Sequence, residues 1–102
     1  MANVKVGLYV RLTAKPGKEA ELQKFLAGAL PLANAESGTT VWFAIKYSAN
    51  TFAIFDAFAD ETGRKAHLTG DIAKALMAKA GELLASPPNI EQVEVMAAKI
   101  PG

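Results

Sequence analysis

The chain has 102 residues, 51% of them hydrophobic and 21% charged, with eleven Lys and Arg against ten Asp and Glu for a formal charge of +1. A chain of this length reads as one domain, residues 1–102, large enough to bury its own core. The balanced charge argues against a nucleic-acid or anionic-membrane surface, the lack of Cys excludes disulfides and thiolate chemistry, and the single His excludes a multi-His metal cage.

Val4 to Thr13 alternate, with Val4, Val6, Leu8, Val10 and Leu12 on one side, which predicts a half-buried strand. Pro16-Gly17 turns the chain, and Leu22, Phe25, Leu26, Ala29 and Leu30 then form one apolar stripe of a helix over 18–30. A stop or kink is expected near Pro31. Thr40 to Tyr47 and Thr51 to Phe58 read as a hairpin around Ser48-Ala49-Asn50. Asp60 can cap a short helix over 61–68, and Gly70-Asp71 opens another over 72–84. Pro87-Pro88 stops it, and 90–100 reads as a fourth strand.

The order βαββαβ fits an α+β, ferredoxin-like sandwich, a four-stranded antiparallel sheet with helices on one face. Both faces of these strands carry apolar groups. The side away from the first strand's aliphatic row is expected to present Tyr9, Trp42, Phe55 and Met96. A patch of that kind normally marks an interface, so a homodimer packed sheet against sheet is expected. No apolar run approaches the ~20 residues of a membrane span. Lys5 and Arg11 interrupt the N-terminal apolar residues, unlike a signal peptide, which points to a cytoplasmic protein.

His67 is the one side chain that ordinarily titrates near neutrality. Two readings stand open for it: a general base or donor to an oxygenated ligand, or a helix histidine capping a neighbour. Asp56 lies in phase with the apolar Phe52, Ile54 and Phe58, where a carboxylate is costly unless it borders a cavity or is paired, with Lys46 or Arg11 as candidate partners. Arg64 precedes His67 by one turn and shares its helix face. Tyr9, Tyr47 and Trp42 combine apolar bodies with polar tips suited to an aromatic ring. No phosphate loop, nucleophile elbow, metal motif or dinucleotide fingerprint occurs.

The stretch Ile54-Phe55-Asp56-Ala57-Phe58-Ala59-Asp60-Glu61, followed by Ala66-His67-Leu68 and Lys74-Ala75, resembles the antibiotic biosynthesis monooxygenase (ABM) family. With Leu12-Thr13-Ala14-Lys15-Pro16-Gly17-Lys18, the similarity covers nearly the whole chain. Asp56 stands where Glu is commoner, Phe58 where Trp or Tyr is commoner, and Ile72 where many relatives have a second His. A haem-degrading branch is also similar, but Val10 and Met77 occupy the places of its Asn and His. The resemblance implies a dimeric α/β barrel and, in some members, oxidation of quinols or phenols by O2 with no metal, flavin or other cofactor. In that chemistry His67 would take the phenolic proton with Asp56 orienting it, Arg64 or Tyr47 would steady the oxyanion, and Phe43 and Phe58 would shape the pocket for a small aromatic substrate. The alternatives are a non-enzymatic dimeric barrel that binds a small apolar ligand, and a cyclase or isomerase on the same scaffold.

Overall fold

The computed structural model describes residues 3–101. In chain order the elements are β1 (Val6–Thr13), α1 (Glu19–Gly28), α2 (Leu30–Ala35), β2 (Val41–Lys46), β3 (Thr51–Phe58), α3 (Glu61–Leu68), α4 (Asp71–Leu83) and β4 (Asn89–Glu94). The strands form one antiparallel sheet in the order β2-β3-β1-β4, the ferredoxin-like arrangement, with the helices packed on one face. No helix among the described residues is long and apolar enough to cross a membrane.

The helix-facing side of the sheet is set by its central pair. Leu8 lies opposite Asp56, Val10 opposite Ile54 and Leu12 opposite Phe52. The side chains of Val10, Leu12, Phe52 and Ile54 meet Leu22 and Leu26 of α1 and Leu76 and Leu83 of α4 in the main core. Burying each such side chain is worth roughly 1.5 to 3 kcal/mol, so this layer supplies most of the driving force.

The stop expected near Pro31 falls at Ala29: α1 ends at Gly28, and Pro31 enters the first turn of α2, where its missing N–H would have had no partner anyway. Two expectations are corrected. β4 ends at Glu94 because it pairs with β1, which starts at Val6 opposite Glu94; Val95 N–H donates to Lys5 O just beyond the strand ends. The exposed apolar face also has a different membership. Trp42 pairs with Asp56 and so turns toward the helices, while Val41, Phe43 and Ile45 alternate to the open face with Tyr9 and Phe55. Phe43 is 55% exposed and Tyr47 73%. Met96, past the end of β4, is 98% exposed; its neighbours Val95 and Ala97 are the ones that line the apolar hollow beside Phe43 and Phe55.

Candidate functional site

α3 carries the site. Asp60 caps it, accepting a hydrogen bond from Gly63 N–H at 3.1 Å, as the spacing predicts. Arg64 and His67 follow on its inward face, both buried. Arg64 Nη1 donates to the carbonyls of Gly7 and Val93, each at 3.2 Å, and Nη2 pairs with Glu61. The guanidinium thus ties α3 to β1 and to β4.

His67 faces the other half of the sheet. Its Nε2 lies 2.9 Å from Asp56 Oδ2, and its Nδ1 lies 2.6 Å from Glu36 Oε1. Asp56 is fully buried on the helix-facing side of β3; the Nε2 approach is off the hydrogen-bonding direction, so neither Asp56 oxygen has an aligned donor. Phe58, two residues further along β3, packs its ring 5.4 Å from the imidazole at a tilt of 44°. Thr39 Oγ1 donates to Glu36 Oε1 at 2.7 Å. An imidazole is therefore held between two carboxylates from different parts of the chain.

Burial is the largest influence on the titration of His67 and disfavours its charged form. Contact with Asp56, and next with Glu36, outweighs it, and the pKa rises from 6.5 to about 9. At neutral pH the ring is an imidazolium with a proton on each nitrogen. These groups do not gather as a metal site, since the ring lies between the carboxylates, and no cluster of three ligating side chains suited to a metal is found among the described residues.

The Glu36 end of this series borders a cleft of about 330 Å³ between the segment after α2, α3 and the start of α4. Leu32, Ala35, Ser37, Thr39, Ala66 and Asp71 contribute to its lining together with Glu36 and His67. Glycines bring its walls together: a Cβ on Gly63 would meet Gly38 O at 2.6 Å, and a Cβ on Gly70 would meet Glu36 Oε2 at 2.9 Å.

Of the residues singled out from the sequence, His67, Asp56 and Phe58 meet in space. Arg64 is engaged with backbone carbonyls, while Phe43 and Tyr47 stand exposed from β2 and the turn after it; none of the three lines this cleft. Lys46 and Arg11 do not pair with Asp56; Lys46 Nζ lies 5.8 Å from the Phe52 ring and the Arg11 guanidinium 5.6 Å from that of Tyr47. Glu36 was missed. It lies 31 residues before its partner His67, in a Glu-Ser-Gly-Thr-Thr segment with no local signal of burial.

The sheet order and the helices on one face define a ferredoxin-like fold. Two solved structures provisionally named as antibiotic biosynthesis monooxygenases share this fold. One, from Caulobacter crescentus, is 23% identical with a TM-score of 0.78, over 93% of this chain and 92% of that one. The other, from Nitrosomonas europaea, is 11% identical with a TM-score of 0.80, over 94% of each. A second Nitrosomonas europaea structure, of a protein of unknown function, is 68% identical with a TM-score of 0.96, over 97% of this chain and 96% of that one. The chain belongs to the family of this last protein, within the ABM-like fold. No family model matches it, and no curated protein matches it.

Proposed function

We propose that the protein is a cytoplasmic monooxygenase that oxidises a small quinol-like or phenolic compound with O2 in the cleft beside His67, and that it works as a homodimer packed sheet against sheet. The observation that carries this reading is the series of buried Asp56, buried His67 and half-buried Glu36 at the wall of a cleft of about 330 Å³. Buried ionic groups are a weak means of stabilising a fold, because desolvation offsets most of their attraction. Their position at a cleft favours a chemical role. The fold shared with provisionally named monooxygenases supports the same reading.

A base must be neutral to accept a proton, and His67 is charged until about pH 9. Its role is therefore that of a fixed cation: Asp56 holds Nε2, Phe58 backs the ring, and Nδ1–H stabilises the phenolate oxygen. The phenolate is electron-rich enough to give an electron to O2 directly, and the two radicals so formed join in a C–O bond at a ring carbon. The O–O bond then breaks: one oxygen stays as a new quinone carbonyl and the other leaves as water with two hydrogens of the substrate, which supplies all four electrons. Arg64 acts here by fixing α3, and Phe43 and Tyr47 act at the dimer face rather than on substrate.

Oxygen uptake over a panel of quinols and phenols tests the proposal, with accumulation of the oxygenated product expected. His67→Gln should lower turnover by about 10²- to 10³-fold, the usual effect of losing an oxyanion donor. A second reading, a dimer that binds a small apolar ligand without turning it over, is favoured by the occupation of both ring nitrogens by protein carboxylates. Binding of the same compounds with no oxygen uptake would select it. A converted product without oxygen uptake would instead select a cyclase or isomerase.

A further inference from the structure

We propose that the position held by the Glu36 carboxylate is an oxygen subsite on His67 Nδ1, taken by the phenolate or carboxylate oxygen of a ligand when Glu36 swings away. This deepens the reading of the cleft as a substrate site, but its test needs no turnover.

The attachment of the segment is the first argument. Among the described residues, Glu36–Thr39 makes one hydrogen bond to α3, the Glu36–His67 contact. Its other bonds are Glu36 N–H to Ala33 O, Thr39 N–H to Glu36 O and Thr39 Oγ1 to Glu36 Oε1, all of them within the segment or back to α2. Gly38 also lies against Gly63 of α3, backbone on backbone. Releasing Glu36 thus frees the wall without disturbing the helix.

The state of the carboxylate is the second. Oε1 is shared by Thr39 and His67, whereas Oε2 is buried with no partner. A buried acceptor without a donor raises the free energy of the closed arrangement, so exchange for a ligand oxygen costs less than the short Nδ1 contact implies.

The third is what stays behind. Asp56 on Nε2 and Phe58 against the ring come from β3 and hold His67 in place when Glu36 departs. The charged groups near the ring are then Asp56 on β3, Arg64 one turn back on α3 with its guanidinium directed at Gly7 and Val93, and Asp71 at the start of α4. With Arg64 so engaged, Nδ1–H is the positive donor that meets an oxygen entering from the cleft. The exchange balances: the incoming carboxylate or phenolate oxygen takes the Nδ1–H hydrogen bond that Glu36 gives up, and a ligand that arrives as a phenol loses its proton to solvent.

The test is chemical rescue read on the chain's single histidine. In Glu36→Ala the NMR titration midpoint of His67 should fall from its wild-type value by about one unit or more, the usual effect of losing an adjacent charge. Sodium acetate should raise it again, saturably, while sodium chloride at equal ionic strength does not. Glu36→Gln, whose amide fills the place, should show the fall without the rescue. If Glu36→Ala melts early, acetate must raise its Tm above the chloride control. Acetate acting alike on wild type, Glu36→Ala and Glu36→Gln, or acting on none of them, would overturn the subsite. Failure of every quinol to consume oxygen would bear on the catalytic reading and leave this result standing.

Discussion

Asp56 is the costliest residue of the sheet. It sits fully buried among Leu8, Ile54 and Trp42, where an uncompensated carboxylate would be expelled or protonated. His67 compensates it, and the pairing makes stability depend on pH in a definite direction. The folded-state pKa of His67, about 9, lies above the value of 6.5 expected for the unfolded chain. Protonation thus favours the folded state; the contribution is fully present below the unfolded pKa and is lost as pH rises through the folded one. Thermal melts should show a Tm that declines between pH 6.5 and 9, and the decline should largely vanish in His67→Gln, which has no proton to lose there. A wild-type Tm flat across that window would remove the ion pair from the energetics of the fold.

α3 connects the two halves of the sheet through neighbouring turns: Arg64 reaches β1 and β4, and His67 reaches β3 and the segment after α2. Gly63, between the cap and Arg64, is where that segment touches the helix. A Cβ there would come within 2.6 Å of Gly38 O, so Gly63→Ala must push the segment outward. A cost of about 1 to 3 kcal/mol in urea unfolding is expected. The His67 midpoint should fall with it as Glu36 is carried off, and an unchanged midpoint would separate the two contacts. Much of this element was readable from residues alone, because its determinants are local: Asp60 three residues before Gly63, then Arg64 and His67 one turn apart. β1 was readable for a similar reason, since its alternation fixes the inward side, and β3 takes its phase from pairing with β1. In β2 both alternating sets, Val41-Phe43-Ile45 and Trp42-Ala44, are apolar, so period two carries no phase; only the pairing of Trp42 with Asp56 decides which set faces the helices. Glu36 was out of reach for a deeper reason: its contact with His67 is made by tertiary topology across 31 residues.

The face of the sheet opposite the site is the one through which the proposed dimer would pack. Tyr9, Phe43, Ile45 and Phe55 lie there, and the chain segment after β4 runs beside them to leave an apolar hollow of about 240 Å³ lined by Val41, Phe43, Phe55 and Val95 among others. Each large apolar side chain removed from water contributes roughly 1.5 to 3 kcal/mol, and a two-fold interface counts every one of them twice. The same symmetry makes a single charge a strong probe, since it is introduced on both sides of the contact. Phe43→Asp should therefore reduce the sedimenting species to the 10.7 kDa of one chain, where wild type at micromolar concentration should run at twice that mass. Because Phe43 and His67 lie on opposite sides of the sheet, the variant should keep the wild-type titration of His67, which separates loss of the interface from loss of the fold. Wild type sedimenting as the single chain would remove the dimer from the proposal, and the exposed aromatic face would then need a different occupant.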